Sequence, residues 1–168
     1  IFLYYGEELG LPQVDIAFED LQDPEAIANW PLTLSRDGAR TPMPWRADAP
    51  YLGFSDVKPW LPVGEAHRAL VVDVQEAQPD SLLHWTRKVL ALRKETTALR
   101  IGAIDFLDAP KELLAFERSF EGERLLCVFN LSDQPATWTA HGDWHPLLST
   151  GGIEGRHFPA ASALVAHA

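Results

Sequence analysis

The hydrophobic rhythm of the chain changes three times. Ile1-Phe2-Leu3-Tyr4-Tyr5 is an unbroken apolar run closed by Gly6-Glu7-Glu8. Such a run predicts a strand buried on both faces, of the kind used in parallel sheets. That strand needs neighbours on either side, and nothing downstream reads as another βαβ unit. Residues 1–5 are therefore expected to complete a sheet formed by preceding polypeptide, which makes the chain the C-terminal part of a longer protein. Residues 9–80 hold most of the prolines and keep no sustained period, predicting a long ordered loop with short helical turns. Loops of that length in compact domains are usually functional. One helical turn is expected at Asp23-Pro24-Glu25-Ala26-Ile27-Ala28, with Asp23 as cap and Pro24 in the first helical position. Over residues 81–97 the period becomes three or four. Leu82, Trp85, Val89 and Leu92 share a stripe, Ser81 or Asp80 can cap, and Arg87, Lys88, Arg93 and Lys94 lie mostly off it. This predicts an amphipathic helix with its cations toward the C-terminal end, where the helix dipole favours them.

After about residue 100 the pattern alternates. Ala103 to Leu107 predicts one strand. Glu112 to Phe120 and Glu123 to Leu131 predict a hairpin turning at Glu121-Gly122. Leu114, Phe116 and Phe120 fall on one side, as do Leu125, Cys127, Phe129 and Leu131. Shorter strands are expected near residues 137–139, 145–148 and 162–166. The chain thus reads as two parts, 1–100 and 101–168, the second a small antiparallel β domain.

Composition excludes several classes of function. The 168 residues are 46% hydrophobic and 23% charged, a globular balance. A net charge of −10 disfavours nucleic acid, whose phosphates require basic partners. No apolar run approaches the ~20 residues of a membrane span. The single cysteine, Cys127, sits in an apolar stretch, reads as a buried thiol and fits a reducing compartment, so a cytoplasmic location is expected. His141 and His145 are spaced four apart, but Gly142 and Pro146 disfavour the helix that would align them, and no third ligand has convincing spacing. Neither a metal nor another cofactor is expected.

The densest chemistry lies in Arg36-Asp37-Gly38-Ala39-Arg40-Thr41-Pro42-Met43-Pro44-Trp45. Two guanidinium groups flank a glycine, and two prolines stiffen the backbone beyond them. A permanently charged, flat fork of donors on a rigid loop suits a carboxylate or the adjacent hydroxyls of a sugar. Arg36 is read either as a binding residue or as a structural ion pair with Asp37 or another carboxylate. Trp45 and Trp60 are read either as sugar-stacking rings or as loop packing. Glu7 and Glu8 are adjacent on an expected extended segment, so they point to opposite sides and make a poor acid/base pair.

That stretch occurs in order with Tyr4-Tyr5-Gly6-Glu7-Glu8-Leu9-Gly10 and with Gly53-Phe54-Ser55 followed by Pro59-Trp60-Leu61-Pro62-Val63. Together they resemble the C-terminal part of an α-glucosidase of glycoside hydrolase family 13, the α-amylase superfamily, over essentially the whole chain. Ala17 to Pro24 leans toward the bacterial α-glucosidase branch. The resemblance implies the last strand, long loop and last helix of a (β/α)8 TIM barrel, followed by an antiparallel β C-terminal domain. It also implies a retaining glycosidase acting on terminal α-linked glucose, by hydrolysis or transfer. Its two catalytic carboxylates, ~5–5.5 Å apart, and a third stabilising carboxylate map to barrel strands before Ile1. No catalytic residue is thus expected here, and the chain alone is expected to be inactive. By resemblance Arg40 binds the non-reducing glucose and pairs with an upstream aspartate, and Ala39 stands where such enzymes often carry cysteine. Arg36 and Glu19 complete the expected substrate-binding set, with Glu19 bordering the aglycone side or simply solvated. The expected partners are an oligosaccharide and the preceding barrel portion of the same protein, not nucleic acid or membrane. A stand-alone carbohydrate-binding β module is the alternative, with Trp138 and Trp144 as its candidate aromatics.

Overall fold

The computed structural model describes residues 2–32 and 35–168. The chain divides into two units, Ile1–Lys88 and Val89–Ala168. In the first, residues 2–5 pair with no strand among the described residues; Ile1 lies outside them. Among the described residues the expected strand therefore has no pairing partner. An extended segment becomes a strand only by exchanging hydrogen bonds with neighbours, and the described residues supply none. Gly6 turns the backbone left-handed at φ 85, and Glu7–Leu9 form a 3₁₀ turn. Glu7 and Glu8 thus sit on a turn rather than on the expected extended segment. The left-handed backbone at Gly6 is what calls for glycine; a Cβ there would also lie 2.8 Å from Leu11 Cδ1 and push that side chain aside.

Helix α1 (Pro24–Asn29) forms where the Asp-Pro signal placed it: Asp23 Oδ1 accepts the Glu25 N–H at 3.3 Å and Pro24 opens the helix. A 3₁₀ turn follows at Arg36–Ala39, capped by Ser35, whose Oγ accepts the Asp37 N–H at 3.0 Å. Ile16, Leu21, Ala26 and Leu61 make the small core beneath this loop, with Val14 packed against it. Helix α2 (Val72–Glu76) and the start of α3 (Leu82–Glu95) are joined by one buried side chain. The Gln75 amide nitrogen donates to the carbonyls of Leu9 at 2.8 Å and Leu70 at 3.1 Å, while its oxygen accepts the Leu83 N–H at 3.0 Å. The predicted helix over 81–97 is thus present, but the stripe that amphipathicity marks for burial is largely open: Leu82 and Val89 are 43% and 37% exposed.

In the second unit, a short helix α4 (Thr97–Ile101) leads into seven strands. These are β1 (Ala103–Phe106), β2 (Leu113–Phe120), β3 (Glu123–Asn130), β4 (Ala136–Thr137), β5 (His145–Thr150), β6 (His157–Phe158) and β7 (Ser162–His167). Five form an antiparallel sheet in the order β1-β2-β3-β7-β5, and β4 pairs with β6. The β2–β3 hairpin turns on Glu121 and Gly122, both at positive φ (47 and 91), as a tight two-residue connection demands. The sheet is apolar on both faces. One carries Leu113, Ala115, Leu126, Val128, Leu164 and Ala166, closed over by Ala136 and Phe158. The other carries members of the alternating set read from the sequence, among them Phe116 and Phe129; Phe106 of β1 joins them, and the Phe106–Phe116 and Phe116–Phe129 rings each meet at a centroid distance of 6.0 Å. Cys127 lies on this second face, buried, and burial pushes its thiol up to about 11, which leaves it inert.

Candidate functional site

The geometry around the two arginines starts from a buried carboxylate. Asp37 accepts the backbone N–H groups of Gln22 and Asp23, each at 2.7 Å. It thereby clamps the start of α1 to the 3₁₀ turn that carries it. Asp23 receives the Arg36 guanidinium on both oxygens, Nε at 2.8 Å and Nη2 at 2.6 Å, together with the Arg36 N–H at 3.1 Å. The sequence leaves the partner of Arg36 open between Asp37 and another carboxylate; it is Asp23, the same residue that caps α1. The Arg36 guanidinium, aided by the Arg36 and Glu25 N–H groups, holds the Asp23 carboxyl well below the usual carboxylate range against the opposing effect of burial. Gly38 completes the clamp. Its carbonyl accepts the Val14 N–H at 3.0 Å, and a Cβ there would stand 2.1 Å from Val14 O.

Arg40 is different. Its N–H donates to the Asp37 carbonyl at 2.8 Å, which fixes the backbone. Its guanidinium is exposed and has no hydrogen-bond or ion-pair partner among the described residues. Arg40 and Arg36 line one cleft of about 320 Å³ with Tyr4, Gln13, Ser35 and Ala39. A second cleft of about 190 Å³ shares Tyr4, Gln13 and Ala39 with it and reaches Thr41 and His67. Tyr5 OH donates to the Thr41 carbonyl at 2.5 Å, tying the entering segment to the loop. His67 Nε2 lies 2.8 Å from the Pro12 carbonyl. A carbonyl only accepts, so that nitrogen carries a proton, and in the neutral ring Nδ1 is the acceptor. His67 Nδ1 and Thr41 Oγ1 are both buried and unpartnered among the described residues. With the Arg40 guanidinium unpartnered among the described residues, the first cleft sets cationic donors beside the Gln13 amide and the Ser35 hydroxyl, a set that suits a hydroxylated ligand.

Of the expected residues, Arg36 and Arg40 come together in this cleft. Glu19 does not join them: it sits exposed on a 3₁₀ turn at Phe18–Asp20, outside the lining of either cleft. Trp45 and Trp60 also lie outside both and are 49% and 68% exposed, so neither is packed in a loop core. Tyr4, Gln13, Ser35 and His67 are site residues that sequence reasoning misses. Ser35 directly precedes Arg36 and its capping role is a local signal, whereas His67 arrives through its contact with the Pro12 carbonyl, which no local signal marks. Among the described residues no cluster of three or more His, Cys, Asp or Glu could hold a metal ion, and no helix is long and apolar enough to cross a membrane.

Comparison with known proteins gives the family of the chain. Residues 1–102 match the model of the alpha amylase catalytic domain, and residues 104–167 that of the maltogenic amylase C-terminal domain. A probable alpha-glucosidase of Rhizobium meliloti is 46% identical over 137 residues, covering 82% of this chain and 25% of that protein. A probable oligo-1,6-glucosidase of Bacillus subtilis is 32% identical over 157 residues, 82% of this chain and 28% of its own length. Among solved structures, the alpha-glucosyl transfer enzyme XgtA superimposes with a TM-score of 0.85 at 44% identity, covering 98% of this chain and 32% of XgtA. Trehalulose synthase MutB of Pseudomonas mesoacidophila shares the fold at 23% identity and a TM-score of 0.83. The chain thus spans roughly a quarter to a third of the relatives it matches. With an amylase-type catalytic segment and an amylase-type β domain in tandem, the chain belongs to glycoside hydrolase family 13, the α-amylase superfamily.

Proposed function

We propose that the chain is the C-terminal portion of a retaining α-glucosidase that hydrolyses or transfers terminal α-linked glucose from oligosaccharides, in the cytoplasm. The observation that carries this reading is the contrast between the two arginines. Arg36 is committed to Asp23, whereas Arg40 stands in the cleft with its fork unpartnered among the described residues. In this reading Arg40 grips the terminal glucose, Arg36 walls the same cleft, and Glu19 borders the aglycone side. The nucleophile, the acid/base and the stabilising carboxylate come from preceding barrel strands. This segment supplies the last barrel elements up to about residue 100 and the β domain beyond, so it binds substrate without breaking bonds.

The test is kinetic and uses the full-length enzyme. Arg40→Gln is expected to lower kcat/KM by about tenfold to hundredfold, the value of a hydrogen bond from a charged group. Arg40→Lys should rescue it poorly, because an ammonium cannot reproduce the two-pronged fork. Unchanged kcat/KM in Arg40→Gln would overturn the assignment. So would turnover of p-nitrophenyl α-glucoside by the 168-residue chain alone, if a point substitution within it abolished that turnover.

A further inference from the structure

The second unit has a cleft of its own, of about 330 Å³, between the sheet face that carries Leu126 and the loops around Trp138 and Trp144. Both tryptophans are locked. Trp144 donates its indole N–H to the His141 carbonyl at 3.0 Å, and Trp138 donates its own to the Asp108 carbonyl at 3.1 Å. Gly142 makes room for the first ring: its φ is 114, and a Cβ there would stand 3.2 Å from Trp144 Nε1. The Arg124 guanidinium lies 5.2 Å from the centre of the Trp144 ring and is itself held on both prongs by Glu117 at 2.6 and 2.8 Å. With both N–H groups already used, the two part-buried rings present only carbon to the cleft they line. Asp143 and Arg156 also line it, both exposed, and neither side chain has a partner among the described residues.

This combination narrows the ligand. An anion would face the Asp143 carboxylate and a cation the Arg156 guanidinium, while a purely apolar molecule would strip water from both charges for no return. A neutral ring with C–H faces and adjacent hydroxyls satisfies every wall at once: carbon on indole, hydroxyl hydrogens to the carboxylate, hydroxyl oxygens to the guanidinium. The volume falls at the lower end of the range for ligand pockets, about 300–1,000 Å³. We propose that this cleft is a second carbohydrate site, one that takes a neutral pyranose unit of an oligosaccharide independently of Arg40.

The test is an NMR titration of the chain, with isotope-labelled tryptophan indoles, against maltotriose. The Trp138 and Trp144 signals should move along a saturable curve. Asp143→Asn and Arg156→Gln, both at exposed positions, should each weaken that binding by about tenfold. Arg40→Gln should leave it unchanged, which separates this site from the one proposed above. Indole signals that stay still throughout, or move equally in the Asp143 and Arg156 variants, would overturn the proposal. So would loss of binding in Arg40→Gln, or saturable movement with inorganic phosphate in place of the sugar.

Discussion

At the scale of single residues, the charges of the loop are divided between holding and reaching. Asp23 and Asp37 are buried acceptors that fix backbone, and Arg36 neutralises the first of them. That division has a pH signature. Because the folded Asp23 carboxyl is held below its ordinary value, its stabilisation is complete above the usual aspartate range and is lost as pH falls toward the folded value. Stability of the chain should therefore drop below about pH 4. Glu76 and Glu117 are also lowered by their arginine partners and act in the same direction. The diagnostic is thus a difference: urea midpoints measured down an acid series should fall less steeply for Asp23→Asn than for the unaltered chain. Parallel curves would show that the Arg36 pair adds nothing to the fold.

Among the elements, the clamp between the Arg36–Ala39 turn and the segment at Val14 has the least tolerance. Gly38→Ala would drive a methyl into the Val14 carbonyl, and since that neighbour is backbone it cannot step aside. A destabilisation of about 1–3 kcal/mol is expected, the usual cost of overpacking a close contact. In the full enzyme it should come with a raised KM, because Arg40 leaves that same turn. Unaltered stability on thermal unfolding would contradict the geometry. Elements whose signals are local were legible in the sequence: the Asp23-Pro24 start of α1, the helix at Leu82–Glu95 and the hairpin at Glu121-Gly122. Two kinds of feature were not. The strand expected at the start depends on partners outside the described residues, and β6 has only two residues, His157 and Phe158, too few for alternation to register. The cleft was legible in part. Arg36 and Arg40 announce themselves by charge on a stiffened loop, whereas His67 and Gln13 enter it by long-range contact that no spacing encodes. The Asp23–Arg36 pair falls between these cases, since the cap was readable and the second use of the same carboxylate was not.

For the whole molecule, the function proposed above gives the uncovered apolar surface a role, as the face that preceding barrel polypeptide would cover. Phe2 is fully exposed, and the stripe along α3 is open. An environment-sensitive hydrophobic dye should therefore bind the isolated chain, and supplying the preceding barrel polypeptide in trans should both displace the dye and produce α-glucosidase turnover. Mixing that restores neither would count against the proposed division of labour. The β unit has a different character, because strand β3 is bonded along both edges, to β2 and β7, and Leu125, Leu126, Cys127 and Val128 are buried on alternating faces. A strand so enclosed can open only when the sheet itself comes apart. In heavy water its amides become the slow hand of the clock, trading hydrogen for deuterium at the pace of global unfolding long after the loops have finished.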